Sequence, residues 1–160
     1  MLFNEIFATK VNEVGISWFD FYSIGHLCFG IGTFLLLSLF YTIPKTRGKT
    51  PICSLLFVFI LTMFIMVIWE VLENILFVYL DLIWSTGLKF EGRPDSWQNL
   101  FTDILLGGIG ALGTWAFAHS TFEKDKKIWP YYSFGLINLS IWLIFFIILR
   151  YLTFSNSPII

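Results

Sequence analysis

Charge is scarce in this chain: 13% of its residues are Asp, Glu, Lys or Arg, against about 25% in soluble domains. That shortage, with 57% hydrophobic residues and a mean hydropathy of +0.78, excludes an ordinary soluble fold. Cysteine is scarce too. Cys28 and Cys53 are the only two, with no CxxC and no metal-ligand spacing. They fall toward opposite ends of neighbouring apolar runs, so no disulfide between them is expected. A basic stripe is absent and the formal net charge is −1, which argues against a nucleic-acid partner. Met1–Gly15 has no continuous apolar stretch of the signal-peptide kind, so insertion is expected to be directed by the first true span. No solenoid-period repeat and no low-complexity tract occurs.

What is present is aromatic and apolar. Nineteen Phe and seven Trp suit a bilayer and its interfaces, and 160 residues are one domain's worth. The expected fold is all-α: an integral-membrane four-helix bundle with a short N-terminal interfacial helix, a single domain over 1–160. In Met1–Trp18, apolar residues at 2, 3, 6, 7, 11 and 14 form a helical stripe too polar to cross the membrane. The spans fall at about 19–43, 52–80, 97–119 and 130–154, each long enough for the hydrocarbon layer. The first ends at Pro44, and Ser23, His26, Gly30 and Thr33 share one of its faces. The third carries Asn99, Asp103, Gly107, Gly110 and Thr114 along one stripe. Its glycines, Gly107, Gly108, Gly110 and Gly113, allow another helix to approach at backbone distance. Being in mid-span, they imply no phosphate-cradling loop.

Four spans put both termini on one side. Lys45, Arg47 and Lys49 occupy one short gap and Lys124, Lys126 and Lys127 another, both on the same face; Lys10, Lys89, Arg93 and Arg150 lie opposite. The positive-inside rule then gives a multi-pass cell-membrane protein with its N- and C-termini outside. Trp18, Trp84 and Trp97 mark the outer interface and Trp129 the inner one.

Few polar residues lie inside the apolar runs, and those that do converge. Ile52–Trp69 holds no charge. Glu70 follows about 27 Å along at helical rise, near the far edge, with Glu73 and Asn74 on its face at i+3 and i+4. The gap that follows contributes Arg93 and Asp95. Asn99 and Asp103 begin the third span, and His26 is about two turns below the outer end of the first. On this topology all of them land in the outer half of the bundle. Ionisable groups there are costly and mark a site or a structural pairing.

Three chemistries suit the set. His26, Glu70 and Asp103 are candidates to ligate a divalent metal ion as cofactor, with an open position for activated water. No HExxH or HxxxH spacing supports that choice. Alternatively Arg93 holds a phosphate or carboxylate while Glu70 acts as acid or base. A proton relay in a small carrier is the third, and without an inverted repeat it would require a homo-oligomer. Bland readings stand beside these: His26 as an interhelical hydrogen-bonding partner, Glu70 paired with Arg93, and Glu73, Asn74 and Asp95 solvated. The expected role is to bind, and in its strongest form to hydrolyse or modify, an envelope lipid or glycan headgroup. The rivals are a non-catalytic scaffold whose polar cluster locks the helices, and the carrier.

FDFYSIGH at the first span, WEVLEN late in the second and GRPDSWQNLFTDILLGGIGALG leading into the third together resemble the VanZ-like group of small bacterial membrane proteins. The resemblance covers roughly half the chain, Phe19–Gly113 with gaps. The order of the Asn99/Asp103 pair is reversed relative to that group, and WEVLEN replaces its acidic–Gln pattern; both departures point to a separate subfamily. The resemblance implies a site containing Asp20, His26, Glu70, Arg93, Asn99 and Asp103, and a link to glycopeptide-antibiotic tolerance. It implies no established reaction.

Overall fold

In the structure, a computed structural model, the backbone of residues 5–77, 94–124 and 127–157 is described, with the side chains of all of these except 76, 77, 123 and 124. Among the described residues there is no strand, and four helical stretches are long and apolar enough to cross a membrane. The first is α1 (Phe21–Leu37), continued past Ser38 by α2 (Leu39–Thr46). The second is α3 (Leu55–Val71), which runs on as a π-helical turn over Leu72–Phe77. The third is α4 (Trp97–Lys124) and the fourth α5 (Ile128–Ser155). The second span therefore begins at Leu55, after its Ser54 cap, and its expected end, residues 78–80, lies outside the described residues.

The first span does not stop at Pro44 but includes it in α2. Proline in a helix strands the carbonyl four residues back. Here the Phe40 carbonyl takes the Ile52 N–H at 3.1 Å instead, so the loop after α2 supplies the bond that Pro44 cannot. The break at Ser38 is held by hydroxyls: Tyr131 and Tyr132 reach Ser38 at 3.0 and 3.1 Å, and Tyr132 reaches Thr42 at 2.9 Å. This network ties the α1–α2 junction to the start of α5.

Helix α1 is the centre of the bundle. It packs most extensively against α4, then against α5, while α3 leans chiefly on α4. The two central helices run parallel, and glycine sets their separation. A Cβ on Gly30 would overlap the Gly107 carbonyl oxygen, and one on Gly110 would come within 2.5 Å of the Leu27 carbonyl oxygen. Backbones this close cross without side chains between them. Of the expected α4 glycines, Gly107 and Gly110 make this contact with α1; Gly108 faces Met63 of α3, and Gly113 has open space around it. On the other side of α1, Gly25 faces Phe146 and Gly135 of α5 faces Leu35. Most of α5 turns outward, with Ile137, Ile144, Phe145 and Ile148 exposed, as a lipid-facing surface requires.

The N-terminal segment is not one continuous amphipathic helix. Among its described residues, 5–18, the helical parts are residues 5–6 and a 3-10 turn, Val11–Glu13, and the rest of these residues fold back toward the start of α1. Phe7 bridges Phe19, and the Ala8 N–H reaches the Phe19 carbonyl at 2.8 Å. Local polar groups compete successfully with the helix: Glu13 Oε2 takes the Thr9 N–H at 2.7 Å, the Thr9 hydroxyl at 3.0 Å and the Lys10 N–H at 3.1 Å. Gly15 then turns the chain at φ +75°, a left-handed conformation that glycine adopts without strain.

A buried histidine among carboxylates

The site grows from the α1–α4 crossing. His26 lies one turn before Gly30, and Asp103 lies one turn before Gly107, so helices pinned together at the glycines must also bring His26 and Asp103 together. His26 Nε2 is 3.5 Å from Asp103 Oδ2. The antiparallel α3 delivers two more carboxylates at its far end. His26 Nδ1 is 3.1 Å from Glu70 Oε1, and Nε2 is 3.8 Å from Glu73 Oε2. One imidazole from α1 thus meets carboxylates from α3 and α4. His26, Glu70 and Asp103 are buried, and Glu73, whose side chain is 12% exposed, is the most open member.

Glu73, three residues after Glu70 on the same face, is the second residue of the π-helical turn that continues α3. Such turns widen a helix locally and are common at functional sites. Asn74, inside the same turn, donates to the Glu70 carbonyl at 3.1 Å and to Glu70 Oε2 at 3.4 Å. Its own carbonyl accepts the Asp95 N–H at 2.7 Å. Asn74 therefore joins the end of α3 to the segment entering α4.

Asp20 and Asn99 form a separate tier above the imidazole. Asp20 caps α1, accepting from Tyr22 N at 2.7 Å and Ser23 N at 3.1 Å through Oδ1. Its Oδ2 accepts from Gly15 N at 2.8 Å and Asn99 Nδ2 at 3.3 Å. Burial pushes the Asp20 carboxyl up from its ordinary value; the N–H groups of Gly15, Ser23 and Tyr22 pull partly back, and Asp95 adds to the rise. Asn99 also donates to the Ser17 carbonyl at 3.1 Å. Ser96 clamps the N-terminal loop through Gly15 O at 2.7 Å and Ile16 O at 2.8 Å, and the Thr102 hydroxyl bonds the Trp18 carbonyl. A Cβ on Gly15 would stand 2.6 Å from Asp95 Oδ1, so glycine serves the close approach there as well as the turn.

Of the residues expected at the site, His26, Glu70, Glu73 and Asp103 are brought together around one ring. Asn74 and Asp95 support that ring from its edge, while Asp20 and Asn99 fasten the N-terminal loop one tier away. Arg93 and its proposed pairing with Glu70 lie outside the described residues, as does Trp84. Trp18 and Trp97 meet edge-on, 5.5 Å between centroids, at the Asp20 end, and Trp129 is exposed at the far end of the bundle, where α5 begins. Cys28 and Cys53 are both free thiols. Sequence reasoning had not picked out Ser17, Ser96 and Thr102. They act through backbone carbonyls of the loop, which no spacing rule reveals; Ser23, beside the Asp103 carboxylate, could be found from its place on the His26 face.

Chemically, an imidazole flanked by several carboxylates in a water-poor site can move a proton, orient a polar ligand or hold a cation. A hollow of about 520 Å³, lined by both polar and apolar residues including Glu5, Glu13, Ile16, Trp18 and Gln98, lies on the N-terminal loop; none of the residues around the imidazole lines it. No family model, no curated protein and no solved structure matches this chain; its four apolar helices are those of a multi-pass, all-α membrane protein.

Proposed function

We propose that this protein binds the polar headgroup of an envelope lipid, or of a lipid-borne glycan, from the outer leaflet, and hydrolyses it: the oxygen of water bonds to the headgroup as the ester or glycosidic bond breaks, and the proton that water loses is passed to the departing oxygen. The observation that carries this reading is the single imidazole of His26 held by carboxylates from two other spans, 3.1 to 3.8 Å away, at the bundle end reached through the N-terminal loop. Acyl chains would lie against the apolar outer faces of the spans while the headgroup meets the site. Glu70 or His26 moves the proton, Asp103 orients the imidazole from α4, and Glu73 lines the open edge. Arg93 would neutralise an anionic headgroup. Asn99, Asp20, Asn74 and Asp95 hold the loop and the segment before α4 in place. The VanZ-like resemblance supports the same residues and an envelope role, and the basic loops support an outward-facing site.

The test is a titration of the detergent-purified protein with short-chain phosphatidylglycerol and with a lipid-linked sugar, followed by native mass spectrometry for binding and altered headgroups. The parent is expected to bind one of them. Glu70→Gln and His26→Ala, expressed and folded as the parent, are expected to lose binding or turnover; if both keep full activity, the reading is wrong.

A second reading has its own observation. Asp20, Asn99, Ser96 and Thr102 knit the N-terminal loop to α1 and α4 through hydrogen bonds that need no ligand. A scaffold whose polar cluster only locks helices would use groups of this kind.

A further inference from the structure

One ligand atom each from His26, Glu70 and Glu73 lie within 4.8 Å of one another. Donor atoms about 2.0–2.2 Å from a common metal ion stand about 3–3.5 Å apart. An imidazole gives one ion a single nitrogen, and with Nε2 facing Asp103 that nitrogen is Nδ1, whose 3.1 Å from Glu70 Oε1 already has that separation. Glu73 Oε2 stands 3.8 Å from the other nitrogen, Nε2, and Glu73, the least buried of the group, completes the set by turning its side chain toward the Nδ1 side.

Asp103 supplies an independent indication. Its Oδ2 faces His26 Nε2 from the opposite helix at 3.5 Å, the arrangement in which a carboxylate fixes the orientation of a ligating imidazole. Its Oδ1 is buried and accepts no hydrogen bond, although the whole residue is only 2% exposed. A carboxylate oxygen left without a donor inside a protein is costly unless positive charge stands close by. The imidazole it faces is the one that Glu70 and Glu73 also face.

We propose that His26, Glu70 and Glu73 bind a divalent first-row transition-metal ion, with Asp103 holding the imidazole in register. One imidazole nitrogen with carboxylate oxygens, and no thiolate, is a donor set for Mn²⁺, Fe²⁺ or Zn²⁺. Cys28 and Cys53 are not among the clustered groups. The inference shares its residues with the headgroup reading and would give that reading a bridge between an acidic site and an anionic headgroup. It does not depend on the headgroup.

The experiment strips the detergent-purified full chain with a chelator, reloads it with Mn²⁺ or Zn²⁺, desalts it, and measures metal against protein. The parent is expected to retain about one ion per chain, and pulsed electron paramagnetic resonance of the Mn²⁺ form is expected to show coupling to an imidazole nitrogen. Glu73→Gln, at the open edge of the site, is expected to keep the parent's melting behaviour and to weaken metal binding by about tenfold or more. His26→Asn is expected to abolish the nitrogen coupling. A parent that retains no ion, a bound ion without nitrogen coupling, or a Glu73→Gln variant with unchanged affinity overturns the proposal. Failure of the headgroup reading gives a different result: a stoichiometric ion held by His26, with no headgroup bound or altered.

Discussion

Asp20 accepts four hydrogen bonds, two of them at the first turn of α1, while Asp103 Oδ1, less than two turns further into the bundle, accepts none. The two carboxylates are used differently for that reason. Asp20 is saturated by structural donors, so replacing it removes a helix cap and a loop anchor together. Asp20→Ala is expected to cost about 1–2 kcal/mol, and Asp20→Asn, whose amide oxygen can still cap, distinctly less; chemical denaturation in detergent measures both. Glu13 gives a pH dependence. Burial is the largest single influence and raises its pKa, but the Thr9 and Lys10 hydrogen bonds and the Lys10 charge together outweigh it, and the net shift is downward. A depressed folded pKa stabilises the loop above the ordinary glutamate range and loses that contribution as pH falls through the folded value. The Thr9 and Lys10 amides are therefore expected to lose protection from hydrogen exchange only once the pH falls below the ordinary glutamate range. Glu13→Gln, compared at each pH, is expected to show no such step.

At the scale of elements, the glycines of α1 and α4 decide whether the site forms at all. Gly30→Ala sets a methyl group against the Gly107 carbonyl and must push the helices apart. It is expected to cost about 1–3 kcal/mol and to loosen the His26–Asp103 contact. Gly113→Ala, with open space around it, is expected to be neutral or slightly stabilising. Thermal melts of the pair check the contrast. These elements also show what the sequence can reveal. Long apolar runs make the four spans legible, and the stripe from Asn99 through Asp103 to Gly107 and Gly110 makes the packing face of α4 legible. Since a parallel crossing carries i and i+4 neighbours with it, the meeting of His26 with Asp103 follows from the same stripe. Spacing alone puts Glu73 beside Glu70, but the π-helical turn over Leu72–Phe77 does not show in it, because 3.6-residue periodicity assumes the very register it breaks. Nor does the folded-back N-terminal loop. Its stripe of apolar residues suits an interfacial helix, but Ser96, Asn99 and Thr102, some eighty positions away in sequence, hold it as a loop. Local pattern carries no information about partners that distant.

For the whole molecule we propose, on the positive-inside bias, an orientation with the Lys45–Lys49 loop facing the cytoplasm. A cysteine introduced at Lys49 in a background lacking Cys28 and Cys53 is therefore expected to react with an impermeant maleimide only after cells are opened, and one at Asn12 in intact cells. The opposite pattern would turn the site inward. The central claim is that the polar cluster is a site and not a lock. Groups kept for a ligand are arranged against the stability of the unliganded protein, whereas groups kept as a lock contribute to it. The most direct measurement is the thermal unfolding of detergent-purified Asp103→Asn and His26→Ala beside the parent, read together with their headgroup binding. Melting temperatures equal to or above the parent's, with binding lost, are expected of a site. A fall of several degrees in both, about what a loss of 1–2 kcal/mol produces in a chain of this size, with binding retained, would contradict the claim.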